Sequence, residues 1–394
     1  FGSVFQQAFV IFPCSPLLNY ISLMSVLSRF LTCIAVLVAM LAVFIGSCLN
    51  GLPRKLGLFT LYDKHFTMER GTVPFMLEGT PWAFNFQDLP DLSNQTALVT
   101  GANVGVGYFT ALHLARKGAR VTLACRSEKR CRDAASRIQA NYSAANVETG
   151  ILDLSSLASV RAFAGEYTNK LKDTAGLQML VLNAGIMSCP YSMSADGIEL
   201  QFATNHVGHF LLSMLLSDDL QRSTRATVTV VGSAFHNYGY PNGIDASLEA
   251  INSIDKYDPG KAYAQSKLAN ILFAQEFAER LSKTSVRVNV IHPGMVRTEL
   301  GRHVMKKMEH DVGLSIKEFM EAAIESVAWS AEEGALTQLF AAASARIHDE
   351  DIRGVYFHPV ARENPDGRSV HATNKTQQKE LWDFTEKLIE SKSP

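Results

Sequence analysis

The sequence predicts an α/β fold: one doubly wound parallel sheet with helices on both faces, preceded by a single transmembrane helix. Three observations predict it. A stretch without charged residues runs from Phe30 to Pro53 and includes "FLTCIAVLVAMLAVFIGSCL", about the 20 apolar residues that a bilayer core requires. From about Asn94 onward, short aliphatic runs alternate with longer helix-patterned segments, the signature of βαβ units and a parallel sheet. Glycines and small polar residues follow several of those runs directly, at the strand ends where open α/β sheets bind ligands.

The elements follow in chain order. Residues 1–29 are a leader of unassigned role, 30–50 the anchor and 51–93 a connector. Phe1 to Ser28 carries no charge, Arg29 precedes the apolar run, and Arg54, Lys55 and Lys64 follow it. That bias leaves the bulk of the chain in the cytosol. A secretory signal would carry its basic residues earlier and end at a small-residue cleavage site; an organelle presequence stays open as an alternative. The connector has scattered prolines (Pro53, Pro74, Pro81, Pro90) and the aromatics Phe75, Trp82, Phe84 and Phe86. Those aromatics lie either along the membrane interface or over the following domain.

That domain spans 94–360, with 361–394 as a C-terminal tail. "QTALVT" (Gln95–Thr100) is a strand that runs into "GANVGVG", and a helix pattern follows to Gly118. Next come the strand "RVTLAC", a helix near Arg130–Asn141, a strand ending "GILDL" and a helix near Leu157–Leu171. "LQMLVLNAG", "ATVTVVGS" and "VRVNVIHPG" supply later strands. Gly101, Asn183 to Gly185, Ser233 and Pro293–Gly294 each stand just past a strand, so they should converge on one edge of the sheet.

Composition narrows the partners. Of 394 residues 47% are hydrophobic and 19% charged, and 37 basic side chains against 38 acidic ones leave a formal net charge of −1. That balance gives no basic footprint for nucleic acid. The cysteines at 14, 33, 48, 125, 131 and 189 form no CxxC and read as free thiols of a reduced compartment. His206, His209 and His236 read as structural, and no metal site is expected.

Gly101, Gly105 and Gly107 lie between the first strand and first helix, where helix N-terminal amides would meet a dinucleotide pyrophosphate. Their G-x-x-x-G-x-G spacing differs from the G-x-G-x-x-G fingerprint. The second strand ends in Cys125–Arg126 with no acidic residue. A carboxylate there would hold a ribose 2′-hydroxyl, whereas an arginine accommodates a 2′-phosphate, so Arg126 favours NADP(H). Lys129 and Arg130 read as a solvated helix face. In "GKAYAQSKLAN", Tyr263 and Lys267 are four apart and so share a helix face. An ammonium beside a phenol favours the phenolate and lowers a pKa that starts near 10; a packed tyrosine with a snorkelling lysine is the bland alternative.

"TGANVGVG", "LDL", "LNAG", "TNHVGHF", "VVGS", "YAQSK" and "HPG" occur in the order of a short-chain dehydrogenase/reductase. Over about residues 94–360 the chain resembles that family's retinol-dehydrogenase-like branch, which often carries an N-terminal membrane anchor. The resemblance implies a Rossmann-type fold and an NADP(H)-dependent enzyme acting on CH–OH groups. It makes Tyr263 the general acid/base and Lys267 the residue that tunes it and bonds the nicotinamide ribose. Ser233 would bond the substrate carbonyl, and Asn205 would hold a water in the proton relay. Asp153 and Leu154 would lie near the adenine, with Asn183, Ala184 and Gly185 beside its ribose. Asn103 and Val106 would complete the glycine loop. Pro293, Gly294 and Val296 would flank the nicotinamide, and Thr298 would contact its carboxamide.

Two departures stand out. Ser233 and Tyr263 are 30 positions apart, and Gly232 stands where many members have a second serine. The insert could shape the substrate entrance. The region from Thr298 to about Met320, with Met305, Met308 and Phe319, reads as a lid suited to a lipophilic aldehyde or ketone of retinoid, steroid or fatty type. The expected partners are that small molecule, the membrane (endoplasmic reticulum, with a plastid as alternative) and a second copy in a homodimer. Two rivals remain: a plastid protochlorophyllide-reductase-like enzyme, and a catalytically silent NADP-binding scaffold of the same fold.

Overall fold

A computed structural model of the chain describes residues 84–301 and 328–392. The leader, the anchor at 30–50, the connector up to 83 and most of the lid therefore lie outside the described residues. Among the described residues no helix is long and apolar enough to cross a membrane.

The strands are β1 Thr96–Thr100, β2 Arg120–Cys125, β3 Val147–Ile151, β4 Met179–Leu182, β5 Ala226–Val231, β6 Val286–Ile291, β7 Tyr356–His358 and β8 Arg362–Glu363. They form one sheet in the order β3-β2-β1-β4-β5-β6-β7-β8. All pairs are parallel except β7 with β8, which runs antiparallel; that edge departs from the wholly parallel sheet expected. The chain moves outward from β1 to β3, then returns to place β4 on the other side of β1. A crevice opens at such a reversal, beyond the strand C-termini.

Helices cover both faces. Packed around the sheet are α1 Gly105–Arg116, α2 Glu128–Asn141, α3 Leu157–Leu171, α4 Gly208–Leu215, α5 Pro259–Arg280, α6 Ala335–Ala343 and α7 Lys375–Ser391. Side chains of a strand alternate between faces, and here both faces are buried. Leu98, Leu180, Leu182, Val228 and Val290 join one core with α3, α4, α5 and α7. Ala97, Val99, Val121, Leu123 and Val181 join the other with α1, α2 and α6. Continuous apolar strands such as "ATVTVV" are the sequence form of that double burial.

The connector aromatics that are described cover the domain. Phe84 is buried and meets Phe340 edge-on at 5.4 Å, and Phe86 stacks on His113 at 4.0 Å. The residues beyond 360 are also packed. In α7, Trp382 contacts Phe210 at 4.7 Å and Phe273 at 5.9 Å, with Arg280 over its ring at 4.3 Å. Asn374 caps α7 by accepting from Thr376 N and Gln377 N. The same unit thus continues through α7, past the boundary expected at 360.

Candidate active site

The glycine loop is shaped by its neighbours. Gly101 and Gly105 have φ of +65° and +60°, a left-handed backbone that glycine adopts at little cost. A Cβ on Gly107 would collide with Asn183 Nδ2 and lie 2.7 Å from Gly101 O. Asn183 Nδ2 donates to Thr100 O at 2.9 Å, while its Oδ1 accepts from Gln338 Nε2 at 3.0 Å. The Thr100 hydroxyl accepts from Asn183 N at 2.9 Å and Ala184 N at 3.0 Å. The ends of β1 and β4 are thereby knotted into one platform. Above it, α1 starts at N-cap Val104 with no side-chain cap and no acidic residue in its first turn. No N-cap side chain satisfies its leading amides.

Asn205 sits in a wide π turn, Ala203–Val207, between a short helix Leu200–Phe202 and α4. Glu199 caps the short helix before that turn: its buried carboxylate accepts from Gln201 N at 2.9 Å and Phe202 N at 2.8 Å. Burial raises the Glu199 pKa, opposed by those amides. Asn205 Oδ1 accepts from Ile186 N, and its Nδ2 donates to Ile186 O and to Ser266 Oγ, all at 2.9 Å. Its side chain therefore ties the loop after β4 to α5. His209 extends the tie: Nδ1 donates to Asn205 O at 3.0 Å, and Nε2 faces the Thr100 hydroxyl at 2.9 Å.

Helix α5 presents Tyr263 and Lys267. Asp258 caps it by accepting from Lys261 N at 2.8 Å, and Pro259 opens its first turn, a position where proline's missing N–H costs nothing. Ser233 caps the turn after β5, accepting from Phe235 N at 3.2 Å. Its hydroxyl faces the buried Tyr263 phenol and acts to lower its pKa. Lys267 Nζ donates to Val231 O at 2.9 Å, and Asn270 Nδ2 to the same oxygen at 3.1 Å. A Cβ on Gly185 would lie 3.3 Å from Asn205 Oδ1 and 3.6 Å from Lys267 Nζ. Asn205, Ser233 and the Tyr263–Lys267 pair, far apart in sequence, thus meet at one strand edge.

The electrostatics correct one expectation. Tyr263 is not shifted toward the phenolate: burial pushes it up to about 12, against the lowering bond from Ser233. Lys267 is pushed down to about 8, also by burial. Its ammonium lies 5.8 Å from the phenol ring centre and is spent on Val231 O. Desolvation of both groups outweighs their mutual effect.

Past β6, Gly294 has φ +87°, and a Cβ there would lie 2.7 Å from Trp329 Cδ1. Trp329 pairs with the same loop: its N donates to Met295 O at 2.8 Å and its O accepts from Arg297 N at 3.0 Å. Val296 and Val106 both pack against Gly334, and Thr298 Cγ2 lies 3.2 Å from the Cβ position of Gly105. The Pro293–Thr298 loop therefore folds over the glycine loop.

Arg126 is exposed at the end of β2, and no hydrogen bond or ion pair engages it among the described residues. Lys129 pairs with Asp133 at 2.8 Å and Arg130 with Glu299 at 3.7 Å. Asp153 is engaged locally: its Oδ1 accepts from Ser155 N at 2.9 Å and Ser155 Oγ at 2.6 Å. Leu154 O lies against Gly208, where any Cβ would strike it. The free-thiol expectation fails at Cys125 and Cys131, which form a disulfide with a Cα separation of 5.8 Å. The tight turn from β2 into α2 brings them together although they form no CxxC. Cys189 keeps a buried thiol.

Sequence reasoning missed Thr100, Gln338, Glu199 and Trp329, and gave His209 and His236 no place in the site. Only the histidines carried a signal, as polar residues inside apolar motifs.

An open parallel sheet with this crevice and this quartet defines a dehydrogenase-type nucleotide fold. A family model described as short chain dehydrogenase matches residues 95–245 and 248–309. The chain belongs to that family. It is 37% identical over 311 residues to retinol dehydrogenase 14 of Homo sapiens, covering 76% of this chain and 87% of the relative. It is 36% identical to the chloroplastic short-chain dehydrogenase TIC 32 A of Brassica napus, covering 76% and 90%. Among solved structures, an uncharacterised protein of Mycobacterium paratuberculosis aligns with TM-score 0.58 and 32% identity, covering 78% of this chain and 97% of that one. The chain is therefore an oxidoreductase of the kind that acts on alcohols and carbonyls.

Proposed function

We propose that the chain is an NADP(H)-dependent oxidoreductase that interconverts a lipophilic alcohol and its aldehyde or ketone. The observation that carries this reading is the buried cluster of Asn205, Ser233, Tyr263 and Lys267 at the strand edge from which α1 also starts, with no side-chain cap. A dinucleotide would suit that edge: Gly101, Gly105 and Gly107 let the loop pack closely on its neighbours, and the start of α1, with no side-chain cap, would offer amides to a pyrophosphate. Arg126, exposed just past β2, would accommodate a 2′-phosphate. When bound, the nicotinamide supplies or removes the hydride.

The remaining work falls to side chains. Tyr263, protonated throughout the neutral range, gives its hydroxyl proton to the carbonyl oxygen in reduction. Ser233 donates a second hydrogen bond to that oxygen as negative charge develops on it. Lys267 holds the nicotinamide ribose, and Asn205 keeps Ile186 and α5 in register beneath it. The retinol dehydrogenase relative supports an apolar substrate, and so does Phe235, 40% exposed with its ring 6.0 Å from Tyr263. Purified full-length chain in detergent should consume NADPH with a retinal, steroid or long-chain aldehyde. Cofactor binding without turnover across that panel would leave the silent-scaffold reading instead.

Residues 30–50 are proposed to anchor the chain, with the domain facing the cytosol. Resistance to alkaline carbonate extraction tests this. The likeness to the chloroplastic relative supports a plastid as the alternative compartment, and fractionation of a tagged chain decides between them. A homodimer is proposed as well, to be measured by sedimentation.

A further inference from the structure

The turn after β5 is laced to the C-terminal segment. Asn237 Nδ2 donates to Gly367 O at 3.2 Å, His371 Nε2 to Pro241 O at 3.0 Å, and Gln377 Nε2 to Asn242 O at 3.2 Å. These three bonds are exposed or half-buried. The innermost link is different. His236 is 2% exposed, its Nδ1 lies 2.6 Å from Ser233 O, and its Nε2 accepts from Ser369 N at 3.0 Å. The carbonyl can only accept and the amide can only donate, so the partners set one neutral tautomer: Nδ1–H toward Ser233 and a lone pair toward Ser369. The ring also meets Tyr356 edge-on at 5.5 Å.

We propose that His236 is a positioning residue for the reaction, carrying the hold of the segment Gly367–Gln377 to the backbone of Ser233 and so aiming its hydroxyl. This rests on the reading of Ser233 given above. Histidine suits the task because a rigid ring carries a donor and an acceptor on opposite sides. Ser233 in turn accepts from Phe235 N and faces the Tyr263 phenol, whose ring lies 6.0 Å from that of Phe235, so a shift of its backbone moves both the donor pair and the aromatic wall at Phe235. A misplacement of about 1 Å at reacting groups costs about 10²-fold. The proposed catalytic groups all lie before residue 300, whereas this device draws on residues after 360.

The test separates the two arms in the full-length protein. His236→Asn puts an amide nitrogen where Nδ1 stands and keeps the Ser233 contact alone. His236→Gln reaches the Nε2 position and keeps the Ser369 contact alone. His236→Phe keeps the ring and removes both. The expected result is a kcat reduced by about 10- to 100-fold in the Phe variant, intermediate losses for Asn and Gln, and an unchanged NADPH Kd in all three. Parent kcat in the Phe variant overturns the proposal, and so does parent kcat in the Asn variant, because the C-terminal segment would then transmit nothing. Loss of NADPH binding in step with kcat in all three also overturns it, leaving His236 a support of the fold. Ser233→Ala runs alongside. If it retains parent turnover, the reading of the site itself fails; if it is inactive while the His236 variants are not, only the positioning role fails.

Discussion

Tyr263 is held as an acid by burial. A phenol pushed up to about 12 keeps its proton at neutral pH, which suits donation to a carbonyl oxygen. Tyr263→Phe keeps the ring and removes the hydroxyl. Its carbonyl-reduction kcat should fall by about 10²- to 10⁴-fold while NADPH still binds, as read by stopped-flow turnover and cofactor fluorescence. Lys267 gives a pH signature. Its folded pKa, lowered to about 8, means the ammonium is present below that pH and lost as pH rises through it. NADPH affinity should therefore be highest below pH 8 and weaken above it, and Lys267→Met should flatten that slope in a titration series. A parent slope surviving in Lys267→Met would remove Lys267 from the cofactor site. At Arg126, exposed and unengaged among the described residues, Arg126→Asp should weaken NADPH binding about tenfold or more, from a charge-assisted contact of roughly 1.5–3 kcal/mol. NADH binding should change little; equal losses would count against a 2′-phosphate role.

At the scale of elements, α7 is part of the core. Trp382 fills a space bounded by Phe210, Phe273 and Phe277, so Trp382→Ala should cost about 3–5 kcal/mol. A chain ended at residue 360 loses that ring and the contacts of Ser369 together, and should be insoluble or molten by near-UV circular dichroism. A truncated protein with the parent Tm would show that α7 is dispensable. Helix α5 explains the dependence. It is buried on nearly every side, between the sheet and α7, and it carries Tyr263 and Lys267.

The whole molecule has an acid liability. Burial pushes His206 down to about 3, His209, His236 and His358 down to about 4, and His292 well below its usual value. Unfolded, each titrates near 6.5. Between those values the unfolded chain binds more protons than the folded one, so stability is full above pH 6.5 and is lost as pH falls toward 4. Chemical denaturation across that window should show a steep decline whose slope reports several protons taken up on unfolding. A flat profile would mean that these histidines are not buried in neutral form.

The alternating strands, the crevice at their ends and the residues Gly101, Asn205, Ser233, Tyr263 and Lys267 were legible in the sequence. Period and position after a strand are local properties, and a parallel sheet converts them into one edge. What only the tertiary structure decided is how those residues are supported. Thr100 bridges β1 and β4, and His236 spans Ser233 and Ser369; each works across a separation that no local pattern records. The charge states were also beyond the sequence. The i,i+4 spacing of Tyr263 and Lys267 predicts a lowered phenol, but the sign of a pKa shift depends on how much water burial removes, and that depth exists only once α5 is enclosed. The Cys125–Cys131 bridge and the packed C-terminal helix were hidden for the same reason: both depend on where the backbone turns and what it meets there, which the chain settles only by folding.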